Sequence, residues 1–282
     1  MNNQLDLDDY KQAIADLYTG RSQTYDKSYD NNDWHWKIAN RLFEYARVGV
    51  GQQVLDIATG TGHCALASAK LVGSEGKVIG IDISPGMIDR AREKATTLNL
   101  SNVEFQLADG ENLDFPANSF DRIFCSSAFI WMSDLISALC LWRKLLKPGG
   151  ILGIHAFAET AFVGGVVLQK VAEKYGVSIL MSKPTGTVEK CQNLLQQAKF
   201  ESIEIKVEQD GEYISLEKAK RMLMGGNSPA PGQYPSPLSQ LSSEQLAQVE
   251  AEYNAELEAL QSDRGIWNDM TTYYVYGRKS IA

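Results

Sequence analysis

Three carboxylates stand where three apolar runs stop: Asp56 after Val54-Leu55, Asp82 after Val78 to Ile81, and Asp109 after Val103 to Ala108. Behind the first comes a glycine turn, Thr59-Gly60-Thr61-Gly62, and then small residues at Ala65, Ala67 and Ala69. Acids at strand ends beside such a turn describe a polar ligand lying across several loops. An ionised carboxylate only accepts hydrogen bonds, so Asp56 suits an ammonium or a bridging water, Asp82 ribose hydroxyls, and Asp109 an adenine amino group. Gly60 and Gly62 remove side chains that would hold a ligand off the backbone, and they permit positive φ. The helix start behind them offers free N–H groups. The spacing Gly60-x-Gly62-x-x-Ala65 also fits a dinucleotide fingerprint, but a pyrophosphate would meet Asp56 as a like charge.

The groups able to move a proton are few, because the chain has three histidines. His35 falls in an aromatic stretch, His155 near the end of a strand, and His63 just behind the glycine turn; packing competes with chemistry at each. Tyr18 and Tyr25 could hydrogen-bond an acceptor instead. The candidate catalytic groups are therefore His35, His155 and Tyr25. Cys64, Cys125, Cys140 and Cys191 stand at no metal or disulfide spacing. The first three lie in apolar contexts that suit buried thiols, and no metal is expected.

The elements that must hold these residues follow from periodicity. Strands at 54–57, 77–82, 103–108, 122–125 and 151–157 alternate with helical stretches, the signature of a parallel sheet covered on both faces. Ser84-Pro85 caps the helix carrying Met87, a plausible wall beside a nucleoside. Ser133 is expected to cap a helix with Leu135, Leu139, Trp142 and Leu146 inward, stopped by Lys147-Pro148-Gly149-Gly150. Ser126 to Met132, small residues then large apolar ones, lie after a central strand, where open α/β sheets place their ligands. Ahead of the sheet, residues 7–18 predict a helix ending at Gly20, followed by the aromatic stretch Tyr18, Tyr25, Tyr29, Trp34 and Trp36 and a helix over 34–47. Beyond it come helices at 161–175 and 187–198, a strand at 202–208, a Pro- and Gly-rich loop at 225–237, a polar helix near 243–261 and a last strand at 271–277. The loop is too long for a simple turn and reads as a mobile, substrate-facing lid.

Jointly these stretches resemble the class I S-adenosylmethionine-dependent methyltransferases, in particular the branch of the ubiquinone/menaquinone methyltransferases and related small-molecule enzymes. The resemblance rests on Asp56-x-x-x-Gly60-x-Gly62, Asp82, Asp109-Gly110, Asn118-Ser119-Phe120-Asp121 and Leu146-Lys147-Pro148-Gly149-Gly150, and covers about residues 50–157. It implies a Rossmann-like sheet of seven strands, mostly parallel with the last antiparallel, a helical N-terminal cap and an insertion before the last strand. The expected organisation is a cap over 1–48 and a methyltransferase domain over 49–282, with its core at 50–160 and substrate-roof insertions near 161–200 and 212–265. It implies S-adenosylmethionine as cofactor, held by Asp56, Ala58, Gly60, Gly62, Asp82, Ile83, Met87, Ala108, Asp109, Gly110 and Ser126. In the family a Tyr-x6-Tyr-Asp segment lies across the cofactor; Tyr18 to Tyr25-Asp26 match it, with Arg21 between them able to pair with the cofactor carboxylate.

Composition bounds the partners. The net charge of −8 argues against a nucleic-acid substrate, which needs a concentrated basic face. No apolar run approaches a membrane span, and no basic-plus-apolar signal opens the chain, so the cytoplasm is the expected compartment. No Asp/Asn-Pro-Pro-aromatic motif follows the fourth strand. The function expected is methyl transfer, by in-line displacement, to an oxygen or nitrogen of a small aromatic or apolar metabolite. A quinone-ring C-methyltransferase and an NAD-dependent or non-catalytic nucleotide-binding protein are the alternatives.

Overall fold

A computed structural model of the chain describes residues 7–28, 34–222 and 232–281. Among these, β1 (Gln53–Ile57), β2 (Lys77–Asp82), β3 (Val103–Leu107), β4 (Phe120–Ser126) and β5 (Leu146–Phe157) run parallel. β6 (Glu201–Glu208) follows. Two short strands, β7 (Gly211–Ile214) and β8 (Ile266–Asp269), pair with each other, and β9 (Thr272–Arg278) returns antiparallel between β5 and β6. The sheet has seven strands in the order β3-β2-β1-β4-β5-β9-β6. Strand order reverses between β1 and β4, and such a switch point opens a crevice at the carboxyl ends of the strands.

Both faces of the sheet are covered, which is why its central strands are apolar throughout. On one side α3 (Trp34–Ala46), α4 (His63–Val72) and α5 (Pro85–Thr97) bury Leu42, Phe43, Leu66, Val72 and Ile88 against Val54 and Phe124. On the other, α6 (Leu135–Leu145) and α8 (Val188–Gln197) bring Leu139, Trp142 and Leu195 onto Leu55, Ile123 and Val275. A third apolar cluster lies off the sheet. There α7 (Val163–Lys174), α9 (Leu216–Arg221) and α10 (Ser243–Ala259) pack Val171, Ala219, Tyr253 and Leu257 together with Ile214 and Ile266 from the β7–β8 pair.

Several boundaries differ from the sequence reading, each for a local reason. The first helix, α1 (Asp9–Arg21), is capped by Asp8 and runs through Gly20 instead of stopping there. A glycine costs a helix only about 1 kcal/mol relative to alanine, and the Thr19 hydroxyl, 2.9 Å from that of Ser84, ties down the last turn. A further turn, α2 (Tyr25–Ser28), follows. Asp134, not Ser133, caps α6, accepting from the amides of Ile136 and Ser137. Leu146 already belongs to β5, so the Lys-Pro-Gly-Gly stretch is an irregular start of the strand. Cys140 is exposed, one helical step beyond the inward Leu139, whereas Cys191 is buried and donates to the Thr185 carbonyl. The strands β7 and β8 and helix α9 have no counterpart in the sequence reading. Tyr29 and residues 225–231 of the expected lid loop lie outside the described residues.

Candidate active site

The carboxyl ends of β1, β2, β3 and β4 form the floor of a cleft of about 1070 Å³, its mouth included. After β1 the chain turns through Ala58 and Gly60, both at positive φ (52° and 57°), and Ser127 after β4 sits at φ 59°. For Ala58 and Ser127 this left-handed backbone costs about 1–3 kcal/mol each and gathers characteristically at functional sites. Both line the cleft. A Cβ on Gly60 would meet nothing within 4 Å and would stand in open space at the floor.

Two of the three acids are buried there. Asp56 accepts from the Thr59 hydroxyl at 2.6 Å through Oδ2, while its buried Oδ1 meets no donor at hydrogen-bond geometry among the described residues. Burial pushes its pKa up to about 7, tempered by the Thr59 hydroxyl, the Cys64 thiol and the Ala65 amide. Asp82 accepts from the backbone amides of Gly60 and Ser84, each at 2.9 Å. Burial raises it to about 6 against the pull of those amides. Asp109 accepts from the Glu111 amide at 3.0 Å and from Lys11 Nζ at 2.7 Å.

The roof comes from the N-terminal segment and the loop after β4. Tyr10, Ile14, Tyr18, Tyr25, Trp131 and Met132 face the cleft. Edge contacts join Tyr18 to Tyr25 and to Trp131, with ring centroids 6.3 and 6.1 Å apart. The segment is fastened to the turn after each of the first three strands. Asp26 accepts from Thr61, behind β1, at 2.7 Å and pairs with Lys94 at 2.7 Å; Thr19 meets Ser84, behind β2; Lys11 meets Asp109, behind β3. Gly86 makes the middle contact possible, since a Cβ there would stand 2.8 Å from Ser22 Oγ and 3.1 Å from Thr19 Cα.

Of the residues singled out from sequence, Tyr18, Tyr25, His35, Asp56, Ala58, Gly60, Asp82, Ile83, Met87, Ala108, Asp109, Gly110 and Ser126 line the cleft together. Three do not. Gly62 is the N-cap of α4, and its missing side chain makes room for Phe105, Ala91 and Leu66, so it serves helix packing and not ligand approach. Arg21 is exposed, its guanidinium 5.9 Å from the centre of the Tyr18 ring. His155 points into the core at 1% exposure, because its place on β5 sets it against Tyr274 of β9 and beside Phe157. It reaches the cleft through a partner: Ser127 Oγ lies 2.7 Å from His155 Nδ1, and the Ser127 amide donates to the His155 carbonyl. The sequence reading did not single out Lys11 or Glu111, and it took in Ser127 only as part of the 126–132 loop. The matching signal for Lys11, two acids one residue apart at 109 and 111, lies about a hundred positions along the chain from it.

All three histidines are held uncharged at neutral pH. Burial lowers His35 to about 4 and His155 to about 3, and burial with the Lys94 ammonium nearby lowers His63 to about 3. His35 and His63 stack at 5.0 Å under Tyr25 and Trp36. Among the described residues no group of histidine, cysteine and acidic side chains could hold a metal ion.

The floor fits S-adenosylmethionine on its own chemistry: a buried carboxylate oxygen without a donor, a second acid held by amides, a third facing the cleft, and an open glycine where a ligand would rest. Known proteins agree with that fit. Residues 54–150 match the family model described as a methyltransferase domain. The chain is 36% identical over 156 residues to aklanonic acid methyltransferase DauC of Streptomyces sp. (strain C5), covering 55% of this chain and 69% of that one. It is 38% identical over 131 residues to the ubiquinone/menaquinone biosynthesis C-methyltransferase UbiE of Cronobacter sakazakii, a match spanning 46% of this chain and about half (51%) of that enzyme. In fold it is similar to phosphoethanolamine N-methyltransferase 2 of Haemonchus contortus, solved with S-adenosyl-L-methionine, with a TM-score of 0.59 and 16% identity over 98% of this chain and 61% of that one. On this evidence of sequence and site, the chain belongs to the S-adenosylmethionine-dependent methyltransferases, with S-adenosylmethionine as its cofactor.

Proposed function

We propose that this methyltransferase acts on an oxygen or nitrogen of a small aromatic or apolar metabolite. The observation that carries the reading is the lining of the roof. Tyr10, Ile14, Tyr18, Tyr25, Trp131 and Met132 present rings and apolar surface, and Lys11 is the one Lys or Arg among the described lining residues. Its ammonium is already held by two carboxylates, so little is left to neutralise a phosphorylated or polyanionic acceptor. Apolar walls with a few placed polar groups suit a flat aromatic ligand.

In this reading Asp56, Asp82 and Asp109 hold the ammonium, ribose and adenine ends of the cofactor, with Gly60, Ala58, Ile83, Met87, Ala108 and Gly110 forming its bed. When bound, the cofactor supplies an electrophilic methyl group on a sulfonium. The chain's own work is to orient and to exclude water. Orientation alone can contribute about 7–11 kcal/mol, which is why no nucleophilic side chain is required. Tyr18, Tyr25 and Trp131 shut the mouth. Ser127 presents its hydroxyl to the acceptor, positioned by His155, and Tyr25 and His35, in ring contact with each other, add polar groups to the lining. His35, which burial holds neutral, can accept a hydrogen bond from a phenol hydroxyl or an amine N–H.

A second reading, methylation of a quinol-ring carbon, is favoured by the likeness to enzymes named as C-methyltransferases. The test is transfer of labelled methyl to aklanonic acid, a 1,4-naphthoquinol, and simple phenols and anilines, with the methylated atom located by NMR. Methyl on oxygen or nitrogen supports the first reading, and methyl on ring carbon alone supports the second. Transfer to none of these by a chain that binds S-adenosylhomocysteine would remove the aromatic acceptor class.

A further inference from the structure

Helix α1 carries a cation to the floor of the cleft from far away in the sequence. Lys11 Nζ stands 2.7 Å from Asp109 Oδ2 and 3.0 Å from Glu111 Oε2, and all three side chains are largely withdrawn from solvent, at 16%, 13% and 12% exposure. Glu111 is committed elsewhere as well: its two oxygens accept from the amides of Ser133 and Asp134 at the start of α6. Asp109 has its other oxygen on the Glu111 amide. The three groups thus form a chain from α6 through Glu111 and Lys11 to Asp109, and Asp109 and Lys11 both line the cleft.

Two carboxylates this close and so far withdrawn from water repel each other unless a cation lies between them. With Lys11 between them that repulsion is offset, and Asp109 is fixed in one orientation with lone pairs to spare, since each carboxylate oxygen can accept twice. Burial pulls the ammonium down, and the two acids outweigh it and hold Lys11 above its ordinary pKa. Without the ammonium, the two carboxylates would turn apart, and Asp109 would no longer present its lone pairs to the cleft in one orientation.

We propose that Lys11 is a positioning residue for cofactor recognition: it holds Asp109 as an oriented acceptor, and so makes the site select a 6-aminopurine over a 6-oxopurine. The proposal rests on Asp109 being the adenine-facing acid. A 6-amino group donates to such an acceptor, whereas a 6-oxo oxygen is repelled by it.

The test is calorimetric titration of the full chain with S-adenosylhomocysteine and with its 6-oxo analogue, S-inosylhomocysteine, with thermal unfolding as the check on folding. Lys11→Met should weaken S-adenosylhomocysteine about tenfold, the scale of one hydrogen bond to a charged group. It should leave the inosine analogue almost unchanged, so that the preference collapses. Lys11→Arg should restore the preference. Tyr10→Phe is the control for α1 as a mere strap, because it removes the hydroxyl that joins the helix to Trp131 and Gly232 without touching Asp109. If Lys11→Met weakens both ligands equally, as Tyr10→Phe would, or weakens neither, the proposal is overturned. Should Lys11→Met not fold, Lys11→Gln carries the same expectations. Asp109→Ala separates the two layers of the argument. If it abolishes the preference while Lys11→Met does not, Lys11 alone is misassigned; if it too keeps the preference, adenine lies elsewhere.

Discussion

The floor acids make the site sensitive to pH in a definite direction. Asp56 and Asp82 titrate near 7 and 6 in the folded chain, against an ordinary value of 3.8. The folded state therefore binds more protons than the unfolded state between about pH 4 and pH 7, and by linkage the ligand-free protein loses stability as pH rises through that window. A ligand that sets an ammonium against Asp56 and hydroxyl donors against Asp82 reverses the balance, because both favour the ionised carboxylates. The stabilisation by S-adenosylhomocysteine is accordingly expected to grow from pH 5 to pH 8, read as the shift in melting temperature at fixed ligand. Asp56→Asn should flatten that profile, and a profile equally steep in the variant would assign the titration to another group. In the loop after β4, Ser127→Ala should leave S-adenosylhomocysteine affinity within about twofold while lowering acceptor turnover by about 10–100-fold, the cost of one or two charge-free hydrogen bonds at the reacting centre. Equal turnover would return Ser127 and His155 to a purely structural role.

At the scale of elements, the roof is a short helical segment pinned at three places, each to a different loop of the floor. This is why the same residues that read as aromatic packing in the sequence also close the cleft. Gly86→Val offers a way to lift the segment without altering any lining residue, because the new side chain would collide with the Thr19 backbone. Hydrogen exchange should then show α1 losing protection while β1 and β4 keep theirs, and S-adenosylhomocysteine should dissociate faster. Unchanged protection of α1 would mean that the neighbouring backbone yields at little cost. Helices α1 and α2 would act in this picture as a lid, with Thr61, Ser84 and Asp109 as its three catches.

At the scale of the molecule, the sheet and the unit of α7, α9, α10 and the β7–β8 pair, the insertion proper, are built as separate apolar clusters. The cleft's described lining runs from Tyr10 to Met132, all of it ahead of the insertion. Tyr253 is fully buried in the insertion's cluster and donates to the Ala219 carbonyl at 2.8 Å. Its truncation to alanine is expected to cost about 3–5 kcal/mol, the range for large buried aromatics, while S-adenosylhomocysteine affinity of the folded protein stays within a few-fold. Denaturant unfolding and calorimetry of one variant check both halves; a cleft that fails together with the insertion would show that the two clusters are coupled.

What the sequence determined by itself is everything carried by local order. Apolar runs ending in Asp56, Asp82 and Asp109, the turn at Gly60, the cap at Ser84-Pro85 and the alternation of strand and helix are all short-range patterns. They were sufficient for the parallel sheet and for most of the floor. What only the tertiary structure decided spans long stretches of chain. Lys11 meets Asp109 across 98 positions, and Ser127 meets His155 across 28. β7 pairs with β8 across the whole insertion. Gly62 looked like part of a ligand cradle because its type and spacing are the same whether its missing side chain makes room for a ligand or for Phe105. No periodicity encodes which of two distant groups will meet. That is settled only when burial of the apolar faces brings the elements together and the remaining polar groups must find partners or stay unsatisfied.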